Sequence, residues 1–359
     1  MKILSRYLIK TYLAITSTCL AAFVSIYLVI DFLERYAKFS RAGAANSDIF
    51  LYFICKTPEI LFQTTPMAVL MGTILTIGTL SKNSEITAMR SSGASLLQIG
   101  KPLLAIATTI SLSLLFMQEF ITPLANEKMN YLEEVVIKKN GKAAFFRRNN
   151  IWHKNDNLIL QAKLFNPDTS TLSGITIWET DKGTKPLART DATSATPAQG
   201  GWQLHEVTKR AFTASGVVQS NVQEYMFVKI DLGTADLKDA AQAVDDMGFT
   251  ALYRYVANLR DNGFDTTPYI TLLHSKISLP FAAVVMAFMG IPFSLRDGRS
   301  AGMGAGIVFS IMIGFSYFII NSLLISLGQA GAIYPLIAAW TANIIFAAAG
   351  LWFTLTVDG

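Results

Sequence analysis

The sequence has few charged residues and only two cysteines, and both shortages restrict what the protein can be. Charged residues make up 15% of the 359 residues and hydrophobic residues 52%, whereas about a quarter of an ordinary soluble domain is charged. The deficit is concentrated in long apolar runs, which indicates a membrane protein. Cys19 and Cys55 both fall in those runs, so neither a disulfide nor a cysteine-based zinc site can stabilise the polar middle of the chain.

The sequence also lacks the motifs of nucleotide hydrolysis and covalent catalysis. It contains no GxxxxGK[ST] phosphate loop, no GxSxG elbow and no HExxH metal motif. Its histidines, His153, His205 and His274, do not have metal-ligand spacing, and no basic stripe with interleaved aromatics indicates nucleic acid. We therefore expect no enzyme, metal or cofactor in this chain, and any energised work would depend on a partner protein or an ion gradient.

Long apolar segments predict about six transmembrane helices, because each can cross roughly 30 Å of hydrocarbon. They lie at 11–33, 49–80, 102–122, 271–294, 303–326 and 333–356. The first is too long for a signal peptide and predicts a retained helix. The second is longer than one span needs and contains Pro58 and Pro66, which predict a tilted, kinked or broken helix. It also contains Lys56, Glu59 and Gln63, which would face a cavity, a partner or the outer interface, or lie outside the bilayer altogether.

Cations in the short loops predict the orientation of these helices. Most of them fall on one side, as the positive-inside rule expects of the cytoplasm: Lys2, Arg6, Lys10, Lys82, Arg90, Lys101, Arg296 and Arg299. The loop between helices 1 and 2 departs from the rule, because Arg35, Lys38 and Arg41 would lie outside. These three residues indicate either a weak topology signal or cations kept for a ligand.

The middle of the chain, 123–248, has no spanning segment and carries alternating β-branched and aromatic runs. Turn signals separate the runs: Asn166-Pro167-Asp168, Asp181-Lys182-Gly183 and Gly200-Gly201. This pattern predicts a mostly antiparallel β domain on the outside of the membrane. A short amphipathic helix follows at 250–262, with Thr250 as its N-cap and Gly263 as its end.

The predicted fold class is therefore a membrane α-helical protein, with three helices before and three after an inserted β domain. The predicted bounds are 1–122 for the first transmembrane half, 123–248 for the β domain, 249–270 for the amphipathic helix and linker, and 271–359 for the second half.

The loop after the second helix predicts a further short helix over about 84–93. Ser84 can cap it, Glu85 in its first turn complements the helix dipole, and Gly93 ends it. Residues at i, i+3 and i+4 share one face: Ile86, Met89 and Arg90. Such a helix suits docking into a groove of a soluble partner. It also suits an interfacial connector that rests on lipid headgroups, and the pattern favours neither.

Several runs resemble the lipopolysaccharide-export permeases, the LptF/LptG (YjgP/YjgQ) family. They are Arg-Tyr-Leu at 6–8, Pro-Met-Ala-Val-Leu-Met-Gly at 66–72 and Ser-Glu-Ile-Thr-Ala-Met-Arg-Ser-Ser-Gly at 84–93. Further runs at 255–263, 274–280 and 291–296 resemble the LptG type more than the LptF type. The order and spacing of these runs extend the resemblance over essentially the whole chain.

The resemblance implies a specific assembly. Permeases of this family pair as an LptF–LptG heterodimer on a dimeric cytoplasmic ATPase, LptB. The complex extracts lipopolysaccharide from the inner membrane and passes it through β-jellyroll domains to LptC and LptA. For this chain it implies a multi-pass bacterial inner-membrane permease subunit, with both termini in the cytoplasm and a periplasmic, jellyroll-like β domain. ATP would be used by the partner ATPase, and no cofactor would be bound here.

The resemblance also implies roles for particular residues. The helix over 84–93 corresponds to the coupling helix that inserts into the ATPase, which assigns this contact to Glu85, Ile86, Met89 and Arg90. The outer end of helix 1 corresponds to the region whose cations face the lipid headgroup, and here it holds Arg35, Lys38 and Arg41. Arginine and lysine suit this task because they form charge-assisted hydrogen bonds with phosphate.

Three other kinds of function remain as alternatives. A permease of the lipoprotein-release or macrolide-export type also combines helices with an exported domain, but usually has one helix before that domain. An ion-coupled carrier should hold ionisable residues deep in several helices, whereas a membrane-anchored sensor should carry a cytoplasmic output domain. The arrangement of three helices on each side argues against the first, and the position of charges near helix ends argues against a carrier.

Overall fold

The computed structural model describes most of the chain, as helices and one β-sheet. The described residues are 2–93, 95–137, 145–147, 150–155, 157–166, 170–181, 186–213, 216–230, 244–261, 265–297 and 303–358. They form two compact units. The helical unit comprises Met1–Met129, Gly248–Thr250 and Asp265–Gly359, and the sheet unit comprises Asn130–Met247 and Ala251–Phe264.

Among the described residues, six helices are long and apolar enough to cross a membrane, which confirms the predicted number of spans. The helices of the chain are α1 (Lys2–Arg41), α2 (Asn46–Lys82), α3 (Glu85–Ser91), α4 (Leu96–Phe116), α5 (Thr122–Tyr131), α6 (Phe249–Asp261), α7 (Thr267–Asp297), α8 (Met303–Gln329) and α9 (Pro335–Asp358). A π-helical turn, Met117–Ile121, joins α4 to α5 into one continuous span. At 1.5 Å per residue α1 is about 60 Å long, so it extends well beyond a hydrocarbon core.

Helix α2 is continuous through both of its prolines, so of the three predicted possibilities, a tilted, kinked or broken helix, the broken one is excluded. It runs from Asn46 to Lys82 with Pro58 and Pro66 inside it. Proline removes one backbone donor, but neighbouring helices and hydroxyl side chains can compensate for the loss. Next to each proline, a threonine hydroxyl donates to the carbonyl four residues earlier: Thr57 to Phe53 at 2.9 Å and Thr65 to Leu61. α2 is also largely buried among the other helices, and this packing supports a continuous helix.

Glycines allow other helices to approach α2 closely. A Cβ atom at Gly72 of α2 would collide with Thr16 of α1. Likewise, a Cβ atom at Gly290 of α7 would lie 2.9 Å from the side chain of Thr73 in α2. Small residues at such crossings let backbones pack together where the hydrophobic effect between helices is absent.

A buried polar network connects the last three helices. The hydroxyl of Tyr317 in α8 donates to the Asn343 side-chain oxygen in α9 at 2.9 Å. The Asn343 amide then donates to the Ser278 carbonyl in α7 at 2.8 Å. Hydrogen bonds of this kind hold transmembrane helices together with a fixed register.

The described residues of the sheet unit form an antiparallel sheet of seven strands, which confirms the predicted β domain. The strands are β1 (Phe145–Arg147), β2 (Asn150–Asn155), β3 (Leu158–Asn166), β4 (Thr171–Thr180), β5 (Pro186–Ala198), β6 (Gly201–Thr213) and β7 (Gly216–Val228). Each pairs with its neighbours in sequence, so the sheet is a meander. Gly200, with φ of +81°, makes the turn between β5 and β6, as predicted. Pro167, Asp168, Lys182 and Gly183 lie outside the described residues.

The apolar residues of the sheet form a hydrophobic core. Alternation along the strands places them on one face, and the members of the core are almost fully buried: Leu160, Ala162, Phe165, Leu172, Ile175, Ile177, Ala195, Trp202, Leu204 and Val207. These side chains give the sheet its hydrophobic core.

The opposite face of the sheet carries a charged cluster around Asp191. Its carboxylate accepts hydrogen bonds from Arg189 at 2.8 Å, Arg210 at 2.6 Å and Thr176 at 2.9 Å. The Arg189 guanidinium also lies 4.9 Å from the centre of the Trp178 ring. Burial alone would raise the pKa of Asp191, but the hydrogen bonds from Arg189 and Thr176, with the two nearby cations, outweigh it and hold the pKa below its ordinary value.

Helix α6 confirms the predicted amphipathic helix, but its N-cap differs from the prediction. The buried side chains are the predicted ones, Leu252, Tyr255, Val256 and Leu259. The helix begins at Phe249, so Thr250 lies in its first turn instead of capping it. The Thr250 backbone N–H points to the Glu119 carboxylate, 3.3 Å from both oxygens. A carboxylate can replace a cap because it accepts an unpaired N–H and complements the dipole. Gly263, the predicted end, lies outside the described residues.

Candidate functional site

The first candidate site is the short helix α3, which the sequence predicted between the second and third spans. Ser84 precedes it in the left-handed region, with φ of 60°, and its side chain makes no capping hydrogen bond, so that predicted cap is wrong. The Asn83 amide instead donates to the Glu85 carboxylate at 3.4 Å. Gly93 has φ of +89°, and its N–H donates to the Arg90 carbonyl at 3.0 Å. This geometry confirms that Gly93 ends the helix.

The apolar face of α3 packs inward. Ile86 and Met89 are buried, with 3% and 8% of their surface exposed. They join a core cluster with residues of α1, α2, α4 and α7: Leu8, Tyr12, Ile77, Leu80, Ile99, Leu103 and Ile291. In this structure the helical unit covers Ile86 and Met89, so they do not form an exposed apolar face, and their contact with a partner stays a prediction. Their burial anchors α3 to four longer helices.

The polar side of α3 remains at the surface. Glu85 is half-buried, and Thr87, Ala88, Arg90 and Ser91 are exposed. The Tyr7 hydroxyl, from the first turns of α1, donates to Glu85 at 3.4 Å. Of the four residues predicted for partner contact, Glu85 and Arg90 can therefore reach a partner directly.

The second candidate site is a charged cluster between α1 and α2. The Lys56 ammonium donates to both carboxylate oxygens of Asp31, each at 2.9 Å. The Arg35 Nε group donates to the same carboxylate at 3.0 Å, one helical turn further along α1. Asp31 and Lys56 are both buried, with 8% and 7% of their surface exposed. Lys56, whose environment the sequence left open, thus faces a partner residue inside the protein.

Aromatic rings surround the Arg35 end of this cluster. The Arg35 guanidinium carbon lies 5.8 Å from the centre of the Tyr52 ring. Tyr52 is itself buried and packs edge-on against Phe39 and Phe53. About a third of the Arg35 side chain, 34%, is exposed. The carboxylate on one side and the ring on the other therefore hold the guanidinium in a defined orientation.

The structure separates the three cations predicted for the lipid headgroup. Arg35 belongs to the charged cluster with Asp31. Lys38 and Arg41 lie in the last turn of α1 and are exposed. Sequence reasoning missed Asp31 altogether. The available signal was its spacing of four residues from Arg35 together with a lysine inside the apolar part of α2.

The cluster is costly to disrupt because both of its buried members are ionised groups away from water. Removing one partner of a buried ion pair typically costs about 3–5 kcal/mol, since the other charge is left uncompensated. Replacing both partners with apolar residues is often neutral. A buried pair of this kind therefore fixes how α1 and α2 are placed more than it adds net stability.

Comparison with known proteins covers nearly the whole chain. The family described as "Lipopolysaccharide export system permease LptF/LptG" matches residues 6–356. The lipopolysaccharide export system permease protein LptG of Escherichia coli (strain K12) is 24% identical over 359 residues, which cover 98% of this chain and 98% of that protein. The protein of the same name from Haemophilus influenzae is 24% identical over 350 residues, covering 95% of this chain and 94% of that one.

The family match includes both groups of three spans and the sheet between them, so it applies to the complete architecture described above. Both candidate sites, α3 and the Asp31 cluster, also fall within the matched residues. The chain therefore belongs to the LptF/LptG family of lipopolysaccharide export system permeases.

Proposed function

We propose that this protein is the LptG-type permease subunit of a lipopolysaccharide exporter in a bacterial inner membrane. The observation that carries the proposal is the family match over residues 6–356 together with six spans and an inserted antiparallel sheet. The LptG assignment is supported by the names of the similar proteins from Escherichia coli and Haemophilus influenzae. Neither the lipoprotein-release type nor an ion-coupled carrier gains support, because the family match is to lipopolysaccharide export permeases. The three spans on each side of the sheet also argue against the lipoprotein-release type.

In this proposal both termini lie in the cytoplasm and the β domain lies in the periplasm. The distribution of loop cations supports this orientation. The α2–α4 connection, which contains α3, then faces the cytoplasm, and the α1–α2 connection faces the periplasm. Arg35, Lys38 and Arg41 are placed near the outer headgroups, where they would bind the phosphates of the transported lipid.

ATP would be hydrolysed by a separate LptB-like ATPase dimer that contacts α3. Glu85 and Arg90 would make the contact, because they lie at the surface. Ile86 and Met89 would transmit a displacement of α3 to the membrane helices, because they are packed against α1, α2, α4 and α7. A displacement of α3 would then move the helices that form the membrane part. If α3 merely rests on lipid headgroups, changes at Glu85 would leave the association with the ATPase intact.

An LptF-like second permease and LptC/LptA-like periplasmic proteins would complete the exporter. The exposed apolar surfaces of α1 and α8 are consistent with a second membrane subunit or lipid against them. In α1 the exposed side chains include Ile26, Val29, Ile30 and Leu33, and in α8 they include Met312, Phe315 and Leu323.

Co-purification tests this assembly directly. The full chain would be tagged in its native membrane and purified gently, as wild type, as Glu85→Lys and as Glu127→Lys. Glu127 is an exposed acidic residue of α5 in the helical unit and controls for the change of charge. We expect an ATPase, a second permease and lipopolysaccharide with wild type and Glu127→Lys, and loss of the ATPase with Glu85→Lys. Elution of the wild-type chain without any ATPase would contradict the proposal.

A further inference from the structure

A hydrogen bond joins the beginning of α1 to the short helix α3. The Tyr7 hydroxyl donates to the Oε1 atom of Glu85 at 3.4 Å. The Asn83 amide donates to the same oxygen, also at 3.4 Å. Among the described residues, no hydrogen bond ends on the other oxygen, Oε2. The chain itself therefore holds one oxygen of this carboxylate and leaves the other for an outside donor.

The packing beside the two residues fixes how they approach each other. Leu8, which follows Tyr7, is 1% exposed, and Ile86, which follows Glu85, is 3% exposed. Both belong to the same core cluster. Apolar contacts therefore hold the first turns of α1 beside α3. Tyr7 itself is 45% exposed, so its bond to Glu85 lies at the surface next to this core.

A surface hydrogen bond of this length contributes little to the fold, because water can replace either partner. Its effect is on the Glu85 side chain, which would otherwise sample several rotamers. Fixing one rotamer before a partner arrives lowers the entropy that is lost on binding. A carboxylate held at Oε1 also presents Oε2 in one direction, where a cationic or N–H donor can make a charge-assisted hydrogen bond.

From these observations we infer that Tyr7 is the positioning residue of Glu85. Its hydroxyl holds the carboxylate so that Oε2 accepts a hydrogen bond from a donor on the ATPase. Tyr7 thereby adds the first turns of α1 to the contact that α3 makes. This inference rests on the proposed function, because it takes the partner of α3 to be an ATPase.

The test measures the affinity of the ATPase for variants that change only the donor. The full chain and the second permease would be purified together in nanodiscs without the ATPase, and then titrated with it. We expect Tyr7→Phe to weaken binding about three- to tenfold, the value of one exposed hydrogen bond. Tyr36→Phe, the matched control, removes an exposed tyrosine hydroxyl near the other end of α1. It should change the affinity by less than about twofold.

Two unnatural side chains at position 7 separate the donor from the ring. 4-Aminophenylalanine keeps an N–H donor on the ring and should restore the affinity to within about twofold of wild type. 4-Methoxyphenylalanine has an oxygen there but no donor, so it should bind the ATPase as weakly as Tyr7→Phe. A loss in Tyr7→Phe that the amino group does not recover would overturn the inference.

A double-mutant cycle tests whether Tyr7 acts through Glu85. In a chain that carries Glu85→Ala, Tyr7→Phe should change the affinity by less than about twofold, because the acceptor is already absent. An equal effect in both backgrounds would overturn the inference. If Glu85→Ala binds the ATPase too weakly to titrate, the two unnatural side chains at position 7 decide.

Two further outcomes separate this inference from the fold and from the proposed function. A lower temperature of thermal unfolding for Tyr7→Phe than for Tyr36→Phe would assign Tyr7 to the fold and overturn its positioning role. Wild-type affinity in Tyr7→Phe would also overturn it and leave the proposed function intact. An ATPase that does not bind the wild-type permeases at all would instead contradict the proposed function itself.

Discussion

Lys56 in α2 donates to both carboxylate oxygens of Asp31 in α1, at 2.9 Å each, and both residues are buried. This pair joins two helices that differ in exposure, since α2 is largely buried and α1 is mostly exposed. It explains how a lysine is tolerated in an apolar span. The first prediction concerns the contribution of the Asp31–Lys56 pair to the stability of the helical unit.

Lys56→Met should destabilise the helical unit by about 3–5 kcal/mol, because Asp31 is left buried without its counter-ion. Lys38→Met is the matched control, since Lys38 is exposed, and it should have almost no effect. Thermal unfolding of the purified full chain in one detergent would compare the variants. A transition for Lys56→Met equal to that of Lys38→Met would show that the pair contributes nothing to the fold.

The second prediction separates anchoring from contact in α3. Met89→Ala removes a buried side chain and should cost about 2–5 kcal/mol, whereas Met89→Leu preserves most of its volume and should cost less than about 1.5 kcal/mol. Glu85→Lys should cost less than Met89→Ala, because Glu85 is only half-buried and its hydrogen bonds with Tyr7 and Asn83 are exposed. Thermal unfolding and co-purification of the ATPase, measured on the same preparations, would distinguish the two effects. If Glu85→Lys destabilises the chain as much as Met89→Ala does, the loss of ATPase from the Glu85→Lys preparation could not be attributed to a lost contact between Glu85 and the ATPase.

The third prediction uses two glycines of the same helix. Gly72→Ala should destabilise the chain by about 1–3 kcal/mol, because the added Cβ atom collides with Thr16. Gly78→Ala, also in α2, meets no heavy atom within 4 Å. It should be neutral or stabilising by up to about 1 kcal/mol, since alanine favours a helix over glycine.

Thermal unfolding of the two glycine variants would check this prediction. Combining Gly72→Ala with Thr16→Ala should recover part of the stability, because part of the collision is with the Thr16 side chain. Equal behaviour of Gly72→Ala and Gly78→Ala would contradict the close approach of α1 and α2.

The fourth prediction concerns the pH dependence of the sheet. The pKa of Asp191 lies below its ordinary value in the folded sheet. A carboxyl of this kind stabilises the fold at pH values above its unfolded pKa, and the contribution is lost as the pH falls through the folded pKa. Hydrogen exchange of the β5 amides in the full chain should therefore show a loss of protection as the pH falls below about 4.

Asp191→Asn should remove the acid-dependent part of this protection and lower the protection at neutral pH, because the interaction with Arg189 and Arg210 is lost. Glu206→Gln, at an exposed residue of β6, is the control and should retain the pH dependence. An unchanged pH profile in Asp191→Asn would mean that another group controls the acid response.

Much of the fold was predictable because hydrophobic periodicity is a local signal. Continuous apolar runs predicted the six spans, and alternation predicted the antiparallel strands. The spacing of Ile86 and Met89 predicted that they share a face, but spacing does not tell whether a face turns towards the protein or away from it. That depends on α1, α2, α4 and α7, which meet α3 only in the folded unit.

The Asp31 cluster could not be predicted in full for a similar reason. The contact between Asp31 and Lys56 depends on the relative register of α1 and α2, and the sequence does not give that register. The N-terminus of α6 is a further case, because Glu119, which accepts from the Thr250 N–H, is 131 residues away in sequence. Pairings between distant segments are set by packing, so sequence periodicity alone does not reveal them.

The most direct test of the central claim follows newly made lipopolysaccharide in the bacterium that encodes this chain. The chain would be depleted, lipopolysaccharide pulse-labelled, and the label measured in separated inner and outer membranes. We predict that the label accumulates in the inner membrane, and that the wild-type chain restores transport but Glu85→Lys does not. Arrival of labelled lipopolysaccharide in the outer membrane at the normal rate without this chain would contradict its role as an export permease.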